Sequence, residues 1–177
     1  PMIDAHCHFD MYPNPVEIVN RCERDRIITI GMTNLPSHFE LGYPHISKCR
    51  YIRLSLGMHP LMAKEASRER LKFSKLLDQT SYIGEVGLDF SPEGFATKEM
   101  QIENFEFVLS AIKGRKKILS LHSRRAERMV LELIQKHNVE NAIFHWYSGD
   151  TSIIKKIVDS DYFFSINPAM ISSNNGQ

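Results

Sequence analysis

Met2-Ile3-Asp4-Ala5-His6-Cys7-His8-Phe9-Asp10 opens on an apolar pair and carries two histidines two residues apart. If the segment is a β-strand, residues two apart share a face, and both imidazoles converge on one point. A metal ion needs that convergence. Two ordinary hydrogen-bonded histidines would also satisfy the pattern, so the rest of the chain has to decide. Glu85, His122 and His145 each stand at or just past the end of a further apolar, strand-like run. Ligands gathered from several strand ends are the arrangement of a metal hydrolase on a parallel barrel.

Outward from that segment, strands and helices alternate. Apolar and β-branched runs predict strands over residues 2–5, 27–32, 51–56, 81–84, 117–121, 142–144 and 162–166. Helical spacing predicts helices over 15–24, 65–78, 97–113, 125–137 and 152–159. A helix over 37–48 is expected to be broken by Gly42 and Pro44. Thr97 and Gln101 are placed to form the polar first turn of the helix at 97–113. The alternation predicts parallel βαβ units, hence an α/β fold: a TIM (β/α)₈ barrel lacking its last strand and helix. A barrel of this kind ordinarily needs about 250 residues, and the polar run from Ser172 to Gln177 follows the seventh strand directly. A doubly wound open sheet is the alternative.

At 177 residues the chain is read as one domain, residues 1–177, C-terminally incomplete. A net charge of +1 neither requires nor excludes a polyanionic partner. Cys7, Cys22 and Cys49 are an odd number without a C-x-x-C pair, which argues against a disulfide framework and for reduced thiols in the cytoplasm. Cys7 alternates away from His6 and His8 and reads as a core residue. No signal peptide or membrane span is expected. Pro1 ahead of Met2 reads as a remnant of tag cleavage.

Four imidazoles and one carboxylate at one rim suit Zn, Mn, Fe or Ni better than magnesium alone. Two ions about 3.5–4 Å apart could share Glu85 and hold a hydroxide between them, a nucleophile at neutral pH suited to hydrolysis. Glu85, between Gly84 and Gly87, could instead be a turn residue. His59, in Gly57-Met58-His59-Pro60, could bind substrate phosphate or be a loop histidine restrained by Pro60. Arg124 could clamp a phosphate or sit at a solvated helix start. Lys113, Arg115, Lys116, Lys117, Arg124, Arg125 and Arg128 form the densest basic stretch, either a solvated face or a phosphate track. Trp146 and Tyr147 could stack a base or pack the rim. His38, His45 and His137 fit no strand end and read as surface residues.

Five ordered motifs resemble those of TatD-type metal-dependent deoxyribonucleases: Asp4-Ala5-His6-Cys7-His8, Gly57-Met58-His59-Pro60, Gly84-Glu85-Val86-Gly87-Leu88-Asp89, His122-Ser123-Arg124 and His145-Trp146-Tyr147-Ser148-Gly149. The likeness runs from Met2 to about Ile171. The wording His-Ser-Arg-Arg, His-Trp-Tyr-Ser-Gly and Ser165-Ile166-Asn167-Pro168-Ala169-Met170 resembles the TatD-like nuclease of Qat anti-phage systems. The resemblance implies a TIM barrel, two divalent metal ions (Zn, Mn or Mg) and phosphodiester hydrolysis of DNA. It implies that His6 and His8 bind the first metal, Glu85 bridges, and His122 and His145 bind the second. His59 and Arg124 would contact phosphate. An aspartate after strand 8, which the family places on the first metal, has no counterpart here. The Qat resemblance implies partner proteins, among them an ATPase and a queuosine-synthesis-like enzyme.

Two other readings compete. A catalytically impaired scaffold or binding subunit of a defence complex would use exposed strand edges, and a possible oligomer follows from the same edges. An amidohydrolase acting on small molecules could share the scaffold, although Glu85 stands where a carbamylated lysine would be expected.

Overall fold

The apolar runs become short strands and the amphipathic runs cover them. In chain order the elements are β1 (Ile3–Cys7), α1 (Pro15–Asp25), β2 (Ile28–Gly31), α2 (Pro36–Ile46), β3 (Ile52–Leu54), β4 (Leu56–Met58), α3 (Ala63–Arg68) and α4 (Arg70–Leu76), followed by β5 (Tyr82–Gly87), α5 (Lys98–Ala111), β6 (Ile118–His122), α6 (Glu127–Lys136), β7 (Ala142–His145), α7 (Thr151–Asp159), β8 (Phe163–Ser165) and α8 (Pro168–Ile171). This computed structural model describes residues 2–172. Pro1 and residues 173–177, the polar end on which the expectation of a missing strand partly rests, lie outside the described residues.

Every strand pairing is parallel, in two sheets ordered β1-β2-β3 and β4-β5-β6-β7-β8. Strand order thus follows chain order without reversal. A doubly wound sheet reverses at its switch point, so that alternative is excluded, and the barrel order remains. The strand series also curls on itself. His6 on β1 reaches Ser120 on β6, 2.8 Å away, and stacks on His145 of β7 with ring centroids 3.3 Å apart. Among the described residues no strand follows β8.

The single strand expected over 51–56 is broken at Ser55 into β3 and β4. Thr33 causes the break. Its hydroxyl donates to Ser55 O (2.8 Å) and accepts from Gly57 N (3.0 Å). Its backbone meanwhile pairs across to Gly84 O and Glu85 N. Thr33 therefore fills the seam between the two sheets. Gly57 permits it: a Cβ there would lie 1.7 Å from Thr33 O.

Two helices also depart from expectation. α2 is not broken; Gly42 and Pro44 both lie inside it. Burial of Phe39 and Ile46 holds the helix, and a Cβ at residue 42 would press Leu54 at 3.2 Å. The helix expected over 65–78 divides at Glu69, whose carboxylate accepts from Ser37 N (2.8 Å) and so caps α2. The polar turn at Thr97 and Gln101 is present. Gln101 Nε2 donates to Thr97 Oγ1 (3.1 Å), and Gln101 Oε1 accepts from Asp89 N (2.8 Å), fixing the loop after β5. Phe39, Phe73, Phe105, Phe144, Leu119 and Leu121 form the fully buried centre, and Cys7 is buried as expected.

Gly57→Ala is expected to cost about 3 kcal/mol or more, because backbone must move. Gly114 has φ +73°, and a methyl added there would meet nothing within 4 Å, so Gly114→Ala should cost about 1 kcal/mol. Urea unfolding of both variants measures the contrast; equal losses would contradict the account of the seam.

Candidate metal centre

Glu85 is the hub. β5 loses its regular register on both sides between Ile83 and Val86. Such irregularities re-aim side chains, and here Glu85 points into the mouth while only 3% exposed. Gly87 follows with φ +136°, and a Cβ there would lie 2.0 Å from His122 O. A side chain at 87 would thus push β6, and His122 with it, away from Glu85. The carboxylate meets His122 Nδ1 at 2.9 Å, His8 Nε2 at 3.0 Å, His59 Nε2 at 3.4 Å and His6 Nε2 at 3.5 Å. Burial pushes the Glu85 carboxyl up, but hydrogen bonds from His122, His59, His6 and His8 outweigh burial and hold it well below the usual range.

The histidines differ sharply. His122 lies between two carboxylates, Glu85 and Asp89, with Nε2 2.7 Å from Asp89 Oδ2. Burial alone would lower it; the Asp89 and Glu85 bonds reverse that and raise it to about 9. Asp89 is buried, which would raise it, yet bonds from His122 and Ser91 bring it to about 2. His145 is the opposite case. Burial first, then neighbouring His6, lower it to about 3. His6 is also lowered, by burial above all.

Donor chemistry sorts the set further. His6 Nδ1 lies 2.8 Å from the Ser120 hydroxyl; if it donates there, Nε2 is left as a lone pair facing His8 Nε2 at 3.1 Å. His6, His8 and Glu85 place three possible ligand atoms within 4.8 Å of one another. His59, Glu85 and His122 form a second such group. His59 Nδ1, however, accepts from Leu61 N (3.1 Å), so its neutral ring carries the proton on Nε2 and presents a donor.

The structure thus brings His6, His8, Glu85, His59 and His122 together at the mouth. His145 joins neither three-donor group among the described residues. Its strand neighbour is Ser165, whose hydroxyl lies 3.0 Å from His145 Nδ1 and seats the ring against His6. Arg124 lines the same cavity of about 570 Å³, with Nη1 3.8 Å from Glu93 Oε2. The basic stretch is not one track. β6 runs through it, leaving Lys113, Arg115, Lys116 and Lys117 at the strand's start and Arg124, Arg125 and Arg128 beyond its mouth end. Arg115 pairs with Asp78, and Lys117 donates to Leu77 O (2.7 Å) and Thr80 O (2.6 Å). His45 is exposed as expected, but His38 and His137 are half-buried. Tyr147 is buried, so of the two candidate stacking rings it is Trp146 that stands exposed. Asp89, Ser120 and Ser165 are the residues sequence reasoning missed. Ser120 was findable, two residues before His122 on the same strand face.

A family model described as TatD related DNase matches residues 3–177. The chain is 26% identical over 195 residues to human deoxyribonuclease TATDN3, covering 99% of this chain and 71% of that protein. It is 30% identical over 176 residues to an uncharacterised metal-dependent hydrolase of Methanocaldococcus jannaschii, covering 93% and 67%. Among solved structures, the Escherichia coli TatD homologue YJJV superposes with a TM-score of 0.83 at 21% identity, over 96% of this chain and 69% of that one. A TatD family hydrolase from Entamoeba histolytica gives 0.70 at 18% identity, over 92% and 64%. The two structures share the fold of this chain, which spans roughly two thirds of the length of its relatives.

In metal-free protein the His122 ring is expected to remain an imidazolium at pH 7.5 and to titrate at about 9, as followed by histidine NMR. A raised histidine contributes stability that is complete below its ordinary value of 6.5 and lost as pH climbs to about 9. Metal-free protein should therefore lose roughly 1–3 kcal/mol across that window. Asp89→Asn should flatten the slope and return His122 towards its ordinary value; an unchanged titration would refute the pairing.

Proposed function

The chain belongs to the TatD-related DNase family, and on that premise we propose that it is a metal-dependent hydrolase of DNA phosphodiester bonds. The observation that carries this reading is Glu85, a buried carboxylate on which imidazoles converge from β1, β6 and the loop after β4. The donor set fits divalent cations: nitrogen and carboxylate ligands close together, with a buried His8 Nδ1 lacking any protein partner. In this reading His6, His8 and Glu85 would hold one ion. Glu85 and His122 would hold the second, with His145 as candidate third donor from β7. Ions bound there would supply Lewis acidity and lower the pKa of water to about 7.

The remaining roles belong to the chain itself. Asp89 grips His122 Nε2 and so fixes the ring with Nδ1 towards Glu85, the carboxylate–histidine support that tunes ligands. Ser120 and Ser165 orient His6 and His145 in the same way. His59 Nε2–H and the Arg124 guanidinium are donors for phosphate oxygens. The cavity they line is wide enough for a nucleotide.

The finer proposal places this nuclease in Qat-type anti-phage defence, in the cytoplasm, beside an ATPase and a queuosine-synthesis-like enzyme. It is supported by the wording of the motifs around His122, His145 and Ser165. No described helix is long and apolar enough to cross a membrane. A second reading, a scaffold subunit of such a complex, is favoured by Ile3, Phe163 and Ile166, which are 61–71% exposed on or beside the two terminal strands.

Metal-loaded protein should degrade DNA, and EDTA should abolish the reaction. Glu85→Ala should lower kcat/KM by about 10³-fold or more, since it removes the hub of the ligand set. His137→Ala, outside the site, should stay within about twofold of the parent. Equal loss in both variants, or full activity in EDTA, would rule the mechanism out. For the scaffold reading, light scattering should show concentration-dependent association that Phe163→Lys relieves; a monomer at every concentration would count against an adhesive edge.

A further inference from the structure

α1 stands off the sheet that it covers. It carries Val16, Ile18, Val19 and Cys22 among charged residues, as an amphipathic helix should, yet none of its residues is buried. An apolar side that is not seated leaves space. A cavity of about 510 Å³ lies there, between α1 and α2. Val16 and Val19 line it from α1, His38 and Ile46 from α2, and Met32 and Leu54 from the strands beneath. It shares no lining residue with the mouth that holds Glu85. Two observations say what fits it. The first is an orphan: His38 Nδ1 is buried with no hydrogen-bond partner among the described residues. A buried polar atom left so is costly, and a ligand that pairs with it removes the cost. The second is charge. The charged side chains of the lining are Asp10 and Glu23, and among the described residues no lysine or arginine joins them. Glu23 is already engaged, accepting from the backbone N–H of Arg50 (2.9 Å) and Tyr51 (2.6 Å).

We propose that this cavity is a binding site for a medium-chain aliphatic alcohol, its hydroxyl on His38 Nδ1 and its chain between Val19 and Ile46. The apolar walls take an apolar body. A carboxylate head would meet two acidic side chains and no lysine or arginine. An ammonium head would give up its hydration among apolar walls. A hydroxyl brings no charge, and because it both donates and accepts it pairs with Nδ1 in either tautomer. Length agrees: from His38 to Ile46 the helix rises about 12 Å, the reach of a single medium chain. The site also has a route to the rest of the molecule. Phe9 and Thr33 line the same cavity; Phe9 directly follows His8, and Thr33 fills the seam between the sheets. An occupant therefore braces the segment from which His8 projects. The proposal stands apart from the nuclease reading and does not need it.

The neutral dye N-phenyl-1-naphthylamine, which brightens in apolar sites, reports occupancy of the full chain. Octanol, octanoate, octylammonium and chlorooctane compete with it. Octanol is expected to displace the dye at concentrations roughly tenfold or more below those needed of octanoate or octylammonium. His38→Leu keeps the apolar wall and removes the ring nitrogen. It should still bind dye and chlorooctane, while the affinity of octanol relative to chlorooctane falls roughly tenfold, the worth of one hydrogen bond. Val19→Phe should fill the cavity and weaken octanol roughly tenfold or more, with circular dichroism checking that the variant is folded. Failure of octanol to displace the dye, tighter binding of either charged head, or an octanol-to-chlorooctane ratio unchanged in His38→Leu would overturn the proposal. So would undiminished octanol binding in folded Val19→Phe. Should Val19→Phe not fold, the His38→Leu ratio decides alone.

Discussion

One buried carboxylate organises this molecule. Glu85 is almost fully enclosed, and a charge in that position is tolerated when donors surround it. Those donors come from elements far apart in sequence: His6 on β1 and His8 just past it, His59 after β4, His122 at the end of β6. For all four to reach one carboxylate, the strands must finish at one level and curve about a common centre. The parallel order supplies the level, and the contacts of His6 with Ser120 and His145 show the curvature. A charge that has to be satisfied therefore constrains strand length, register and curvature together.

The same mouth holds histidines in opposite states. In metal-free protein His122 is held as an imidazolium at neutral pH because Asp89 and Glu85 flank it, whereas His145, shielded from water and flanked by imidazoles, is neutral. The two rings leave neighbouring parallel strands, β6 and β7, at the same end of the sheet. What separates them is the element beside each: the acidic loop after β5 on one side, β1 with its histidines on the other. Residue type alone does not assign a role in such a site; the neighbour does.

That distinction also marks how far the sequence could be read. That His6, His8, His122 and His145 stand at or beside strand ends was legible because period-two alternation and apolar runs betray those ends, whereas Glu85, expected just past its strand, lies inside β5. The order of strands was legible because parallel neighbours need helical crossovers. What was hidden depended on distant partners. Nothing local announces that Thr33 would interrupt the strand at Ser55, or that Glu69 would leave its helix to cap α2. Asp89 stood in plain view four residues after Glu85, but its function exists only once His122 lies against it. The basic stretch misled in the other direction: contiguous in sequence, it is parted by the length of β6.

The seam at Thr33 has a consequence for how the molecule is assembled. His6 belongs to the three-stranded sheet and His8 directly follows its first strand, while Glu85, His122 and His145 belong to the five-stranded one. The donors therefore sit on opposite banks of a seam crossed by the hydrogen bonds of Thr33, by Ser55 N to Gly31 O and His59 N to Asn34 O, and by the donors' own contacts. A cation gripped from both banks would be a rivet, resisting shear between the sheets as well as serving chemistry. Filling the site would then also tighten the junction between the two halves.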